Sequence, residues 1–501
     1  MTDKEKEYYT AYNYSERKPV HIDEKDLRED QMNKLVKSDV FCMIPWIHLH
    51  AFPNGKAFPC CLAENDYPVG DLHKNTMREV WNSDAYKAMR KNMIEDKPCK
   101  ECKRCYEQES VGFVSMRNSS NKNFGHHIGL VDDTKSDGTF EDFKLRYYDI
   151  RFTNLCNFSC RSCGGWFSSS WYQEETEVFH KKDTVQFMYA GKDKDDMWNQ
   201  MQEHIPYLEQ IYFAGGEPLI MEEHYQILQE LVRQKRFNVR LIYNTNFSRL
   251  NLKDENVLDY WKLFDSVSIG ASLDAMGPRA EYIRKGTKWD QILRNRKQMI
   301  EICPGVDFYV SATVSIYNIL HVMDFHREWV EQGLIKPADW NINILQSPDR
   351  DRIDVLPQPY KIKVAEKIVK HLEWLRPLDP LTRAVVGYES MLSFMFANDK
   401  PYLLRDFFKI NDKLDVSRKE VFEDVFPEYS ELRSYCLNKN MTKQQLSDFS
   451  EGRVLMTDCL GSYPVVYSDQ YNKFLMRLRD TFGQDYSRNI HETIKEWVNL
   501  P

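Results

Sequence analysis

Apolar positions along the chain alternate between two periods, and the change of period divides it. From Lys144 onward, short runs rich in aromatic and β-branched residues recur at 145–152, 211–215, 239–244, 266–273, 306–314 and 340–345. They have the length and composition of strands. Between them lie stretches with helical spacing, such as HYQILQELVRQ at 224–234 and WDQILRNRKQMIEI at 289–302. Six strands with helical crossovers predict a parallel α/β unit over 144–347. Spacing alone leaves an open doubly wound sheet and a curved partial barrel equally available. Both place chemistry on loops leaving the C-terminal ends of the strands.

Outside this unit the pattern differs. After about Ser347 the strand signals fade and helical periods return, as at 360–375 and 470–482, so 348–501 reads as a mostly helical packing layer. Residues 1–38 are polar and charge-rich and read as a peripheral arm. A compact stretch begins at Phe41, within a small N-terminal domain over 39–117, and 118–143, with VDDTKSDGTFED, reads as a linker.

Composition narrows the class. With 501 residues, 29% charged, 42% hydrophobic and 13% aromatic, the chain is globular and excludes disordered and low-complexity classes. Lys+Arg 68 against Asp+Glu 76 gives −8, which argues against a nucleic-acid partner held by a basic surface. No apolar run reaches 18 residues, and the start lacks the apolar core of a signal peptide, so the expectation is a cytoplasmic protein with no membrane segment. In that compartment the 12 cysteines are expected as ligands rather than disulfides.

They fall in two clusters. The first strand runs into TNLCNFSCRSC, which sets Cys156, Cys160 and Cys163 in a C-x3-C-x2-C loop. Three thiolates on one short loop suit an iron-sulfur cube with one iron left open. A zinc site completed by a distant residue is the alternative, since structural zinc takes four protein ligands. One strand later stands Gly215-Gly216-Glu217-Pro218. The N-terminal domain holds Cys42, Cys60, Cys61, Cys99, Cys102 and Cys105, enough thiols for a second, fully protein-ligated centre, again iron-sulfur or zinc. His48 and His50 share a strand face and read as core or hydrogen-bonded. Lys97, Lys100, Lys103 and Arg104 surround the cysteines as a solvated face. Cys303, Cys436 and Cys459 are isolated and read as buried thiols.

The order of strand, Thr153-Asn154-x-Cys156-Asn157, C-x3-C-x2-C loop, helix, then a strand ending in GGEP resembles the core of the radical S-adenosylmethionine (SAM) enzymes. The resemblance implies a partial (β/α)6 TIM-like barrel and a SAM-binding [4Fe-4S] cluster on Cys156, Cys160 and Cys163. It also implies that Gly215, Gly216, Glu217 and Pro218 form a turn receiving the SAM ammonium, that Asn244 and Asn246 lie near the ribose, and that Ser272 and Arg284 lie near the carboxylate. The residue before the third cysteine, commonly bulky and apolar in the family, is Ser162 here, and Trp166 or Phe167 could supply the missing face against adenine.

The N-terminal stretch resembles the SPASM and twitch domains on Cys42, Gly55-x4-Cys60, Gly70, Trp81-Asn82-Ser83 and Cys99-x2-Cys102, although it precedes the barrel rather than following it. That resemblance implies an auxiliary [4Fe-4S] cluster on ligands from Cys42, Cys60 or Cys61, and Cys99, Cys102 or Cys105. The implied reaction is reductive cleavage of SAM to a 5'-deoxyadenosyl radical that takes hydrogen from a substrate, with a low-potential donor such as flavodoxin or ferredoxin. A peptide or protein is the first substrate reading, a small molecule or carbohydrate the second, and a non-enzymatic iron-sulfur or zinc protein the third.

Overall fold

In the computed structural model, which describes residues 27–110 and 114–437, the strands follow the apolar runs closely. In chain order they are β1 His48–Ala51, β2 Lys56–Phe58, β3 Gly70–Asp71, β4 Tyr147–Ile150, β5 Ser159–Cys160, β6 Gln210–Phe213 and β7 Arg240–Thr245. Then come β8 Asn251–Leu252, β9 Glu255–Asn256, β10 Val267–Ala271, β11 Arg284–Lys285, β12 Asp307–Val314 and β13 Trp340–Ile344. Nine of them form one sheet in the order β13-β12-β10-β7-β6-β4-β1-β2-β3.

This order separates the two architectures that spacing left open. From β4 to β13 every pairing is parallel, and each long strand lies beside the next one in the chain. A doubly wound sheet reverses its strand order at a switch point. Without a reversal the right-handed crossovers put all helices on one side, and the sheet curls into a partial barrel. Alternate positions then divide inside from outside. Ile211, Phe213, Leu241, Tyr243, Phe308 and Val310 are buried, while Tyr212, Ile242, Asn244, Tyr309 and Thr313 on the other face keep partial access. Behind the sheet, helix Glu222–Arg233 buries Ile227, Leu228 and Leu231, and helix Trp289–Ile302 buries Ile292 and Met299.

The N-terminal cysteine-rich stretch joins the same sheet. Strand β1 pairs in parallel with β4, His48 opposite Tyr147 and His50 opposite Asp149, and then turns back through antiparallel β2 and β3. It therefore covers the edge that β4 would otherwise expose. Its helical run divides into Met77–Trp81, with a Thr76/Glu79 capping box, and Asp84–Ile94, where Ser83 caps through Tyr86 N. Asn82 and Ser83 set the break, because capping side chains compete for the backbone.

The segment expected as a linker at 118–143 is ordered. It holds part of helix Met116–Phe124 and a 3₁₀ turn over Gly125–Asp133, and it buries Phe124, Ile128, Val131, Phe140 and Phe143. Its polar composition hid these widely spaced apolar anchors. C-terminal helices Gln358–Leu375, Arg383–Ala397, Leu404–Arg418 and Ser430–Leu437 cover the barrel, and Gly387 lies so close to Ile342 of β13 that a Cβ would stand 3.1 Å away. The helical run read at 470–482, Cys459 and most of the N-terminal arm lie outside the described residues.

Candidate functional site

The C-x3-C-x2-C loop leaves the C-terminal end of β4, as a catalytic loop should, and its backbone carbonyls are held by side chains. Ser170 Oγ donates to Cys156 O (2.7 Å), Ser168 Oγ to Phe158 O (2.5 Å), Arg418 Nη2 to Ser159 O (2.8 Å) and Trp171 Nε1 to Cys160 O (3.0 Å). Asn154 spans the loop base, donating to Gly165 O and Gln186 O while accepting from Met188 N. Burial pushes the Cys156 thiol up to about 12, helped by neighbouring Cys160 and Glu217, and it also raises Cys160. Cys163 sits at the exposed edge. Burial raises such thiols, and a metal centre that takes them as ligands must displace their protons.

Two elements distant in sequence complete the loop. Strand β11 pairs antiparallel with β5, setting Arg284 opposite Cys160. The Arg284 guanidinium is 3.9 Å from Cys160 Sγ and forms a two-bond ion pair with buried Asp274 (2.7 and 3.0 Å), whose Oδ1 also accepts from Thr313 N. Arg284 is therefore committed to the cluster loop and to Asp274. From the C-terminal layer, helix Leu404–Arg418 presents Asn411 and Asp415, with Glu420 just beyond. All three receive Arg161, the residue after Cys160, at 2.7, 2.5 and 2.7 Å. Arg161 is fully buried and stacks on Tyr282, 3.5 Å from the ring centre. Nothing local in the sequence around Arg161 pointed to partners some 250 residues away.

The GGEP turn folds against the same loop. Gly215 and Gly216 have φ of +82° and +50°, a region that other residues adopt at a cost. A Cβ on Gly216 would stand 2.2 Å from Leu155 O, and one on Gly215 2.8 Å from Arg151. Glu217 N donates to Leu155 O (2.8 Å). Its carboxylate accepts from Leu219 N (3.0 Å), Thr245 Oγ1 (2.6 Å) and Asn246 N (2.6 Å). Burial pushes that carboxyl up to about 7 against those three bonds. Pro218 opens a short 3₁₀ turn. Asn246 also donates to Asn157 (2.9 Å), tying the end of β7 to the cysteine loop, and Asn244 donates to Tyr212 (2.5 Å) inside the barrel. Ser272 N donates to Thr245 O just past β10. The turn, Asn244, Asn246, Ser272 and Arg284 all gather at the strand ends around Cys156, Cys160 and Cys163. Trp166 and Phe167 lie on the surface, 60% and 49% exposed, and belong to no core.

The barrel interior carries a charged group beside β1. Asp149, Arg151 and His50 meet there, with Asp149 to Arg151 at 2.9 Å and His50 to the Asp149 carboxylate at 3.3 Å. Despite burial, Arg151 and His50 hold the Asp149 carboxyl far below the usual carboxylate range. Cys61 hydrogen-bonds Asp149 and stands near Cys60 and Arg151. His48 Nδ1 donates to Tyr147 O (2.9 Å), and the ring stacks on Tyr147.

In the N-terminal domain Cys42, Cys60, Cys102 and Cys105 line one small cavity of about 20 Å³, walled by Ile44, Leu62, Met89, Met93 and Met116. Cys99 is buried beside Cys102, with which its side chain hydrogen-bonds, and its sulfur is 3.8 Å from Met89 O. Arg117 holds the entering chain by donating to Ser38 O and Phe41 O, and pairs with Glu109. A tetrahedral zinc site with bonds of about 2.3 Å draws its sulfurs to about 3.8 Å from one another. Among the described residues two triads of ligand-type side chains bring their donor atoms within 4.8 Å, and neither includes a cysteine. No three of the described cysteine sulfurs therefore stand at the spacing of a closed zinc site.

Comparison with known proteins agrees with this geometry. Residues 150–321 match the family model for the radical SAM superfamily, and residues 42–106 match SPASM, an iron-sulfur cluster-binding domain. Together the matches place a radical SAM domain in the chain, with an iron-sulfur cluster-binding SPASM domain on its N-terminal side. No curated protein matches the chain. Solved structures that resemble it include native anSMEcpe with bound AdoMet (16% identity, TM-score 0.31, 47% of this chain and 60% of that one). Another is anSMEcpe with AdoMet and the Cp18Cys peptide (14%, TM-score 0.31, 47% and 60%). A third is Streptococcus suis SuiB bound to S-adenosylmethionine (10%, TM-score 0.29, 58% and 62%). The chain thus spans about 60% of the length of these structures. Among the described residues no helix is long and apolar enough to cross a membrane.

Proposed function

We propose that this protein is a radical SAM enzyme that modifies a peptide or protein, with one [4Fe-4S] cluster on Cys156, Cys160 and Cys163 and a second on Cys42, Cys60, Cys102 and Cys105. When bound, the first cluster and SAM supply a 5'-deoxyadenosyl radical by one-electron reductive cleavage, and this radical takes a hydrogen atom from the substrate. The electron comes from a low-potential donor such as flavodoxin or ferredoxin.

The chain's own part is to position and enclose. Ser168, Ser170, Trp171 and Arg418 fix the loop carbonyls so that three sulfurs face one centre, and Arg284 places a positive charge beside Cys160. Gly215 and Gly216 bring bare backbone to the SAM ammonium, while Glu217 is consumed in bracing the turn. Asn244 and Asn246 stand where the ribose would lie. Ser272 and Arg284, the latter also paired with Asp274, are the residues expected near the carboxylate.

The observation that carries the substrate reading is the contrast between lumen and surface. Inside, Tyr212, Asn244, Tyr309, Ser311 and Asn343 offer neutral hydroxyls and amides on the barrel's inner face. On the surface, Trp166, Phe167, Val185 and Phe187 belong to two segments joined through Asn154, and all four are between 45% and 62% exposed. A polar lumen together with exposed apolar side chains suits a ligand with both amides and apolar side chains, a peptide more than a free sugar. SPASM-bearing relatives commonly modify peptides, which supports the same reading. The test is anaerobic incubation of reconstituted enzyme with SAM, dithionite and candidate peptides from the gene's neighbourhood, read by mass spectrometry. A peptide changed in mass only with SAM supports the reading, and turnover of a carbohydrate alone replaces it with the second.

A further inference from the structure

A second cluster of ligand-type side chains lies at the other end of the barrel. His126 and His127 stand in the 3₁₀ turn Gly125–Asp133, and Glu209 immediately precedes β6. Both imidazoles aim Nε2 at one carboxylate, His126 at 2.9 Å from one oxygen and His127 at 2.5 Å from the other. The rings lie 4.1 Å apart, and the donor atoms of all three residues fall within 4.8 Å of one another. The side chains are 20%, 18% and 34% exposed, open enough for an ion to enter and sheltered enough to hold it. His126 Nδ1 is buried with no hydrogen-bond partner among the described residues, so hydrogen bonding leaves that ring incompletely satisfied. The neighbouring cation, Arg146, is paired with Asp142 at 3.4 Å.

The position is unrelated to the SAM site. Glu209 and the GGEP turn flank opposite ends of β6, about 13 Å of strand apart. It is a junction between the two halves of the molecule. The helix that leads into the histidines carries Asn121, which accepts from Met43 N and donates to Phe41 O, both 2.9 Å, on either side of Cys42. Phe124 at its end stacks on Tyr147 of β4.

We infer that His126, His127 and Glu209 bind one zinc-like divalent cation, which clasps the segment carrying Asn121 to the floor of the barrel. Two imidazole nitrogens and one carboxylate are a borderline-soft set that suits zinc, with a fourth position left to water. The ion takes the place of the shared hydrogen bonds at the two Nε2 atoms and the Glu209 carboxylate.

The experiment uses anaerobically purified, cluster-loaded protein titrated with zinc chloride, with iron measured in parallel and zinc K-edge X-ray absorption taken at one equivalent. The expected result is one zinc per chain, a nitrogen and oxygen shell at about 2.0–2.1 Å with imidazole outer scattering, and unchanged iron. Glu209→Gln, nearly isosteric, and His127→Asn should each weaken binding at least tenfold while keeping wild-type iron content. If either variant loses iron, His126→Asn is measured in its place. A sulfur shell near 2.3 Å, equal affinity in wild type and variants, or no binding at millimolar zinc would overturn the assignment.

Discussion

Arg161 is the strongest single link between the cluster loop and the C-terminal helices. Replacing it with Met keeps the volume of the side chain but leaves Asp415 and Glu420 without their central cation. Breaking a buried ion pair by removing one partner costs about 3–5 kcal/mol. Here Asp415 keeps the Tyr282 hydroxyl (2.8 Å) and Glu420 keeps Lys285 (2.6 Å), which places the loss near the low end, about 3 kcal/mol. The loss of the Tyr282 stack adds to it without leaving a further charge unpaired. Since 1.4 kcal/mol is a factor of ten, the loop's preference for its closed geometry should fall about a hundredfold. The reconstituted variant should then lose most of the iron of the first site while keeping that of the second, which shares none of these contacts. SAM cleavage, followed as 5'-deoxyadenosine per chain, should drop in proportion. Asp415→Asn should do less, because Glu420 and Asn411 still receive Arg161. Full iron with cleavage within twofold of wild type in Arg161→Met would refute the clamp.

Other consequences follow from separate parts of the structure. Gly216→Val puts a side chain against Leu155 O beside Cys156, so it should lower both SAM affinity and first-site iron, with cleavage down at least tenfold; calorimetry and iron analysis showing neither change would contradict the packing. Cys102→Ala with Cys105→Ala should strip iron from the N-terminal cavity yet leave SAM cleavage measurable while substrate turnover falls much further; loss of both together would show that the two sites are not separable. His321 sits between Glu428 (2.5 Å) and Asp324 (3.7 Å), and although burial opposes it, these carboxylates raise its pKa above the usual 6.5. Its stabilising contribution is therefore complete below pH 6.5 and lost as pH rises through the raised value. Burial opposes ionisation of Asp324, but His321 and Lys367 pull its carboxyl down to about 2, so its part persists at mildly acid pH. His321→Ala should lower Tm more at pH 5.5 than at pH 8.5, and an equal loss at both would contradict this.

The barrel was legible because its strands are short apolar runs, alternately buried in β6 and β7 and wholly buried in β4 and β10. All six apolar runs became strands, and helix Trp289–Ile302 occupies the stretch its spacing marked. The C-x3-C-x2-C loop and GGEP turn were legible because close sequence spacing forces their proximity. The addition of β1 to the sheet was not, since a four-residue strand carries no signal of its partner. Cys60 and Cys61 stayed indistinguishable in sequence, and only strand geometry sends the first to the cysteine cavity and the second to Asp149. The pairing of Arg284 with Asp274, ten residues earlier, was not legible, because it forms only through the turn that brings β11 to β5. The Arg161 clamp and the His126, His127 and Glu209 group depend on contacts across 82 to 259 residues, beyond any local pattern.

The central claim is that three loop cysteines hold the centre at which SAM is cleaved. The direct measurement is iron, zinc and sulfide content together with 5'-deoxyadenosine formation, on anaerobically reconstituted wild type and on the variant with Cys156, Cys160 and Cys163 all changed to Ala. Wild type should carry about eight irons, two clusters of four, little zinc, and SAM cleavage dependent on reductant. The variant should keep about four irons and form no 5'-deoxyadenosine. Undiminished cleavage in the variant, or zinc in place of iron in the wild type, would contradict it.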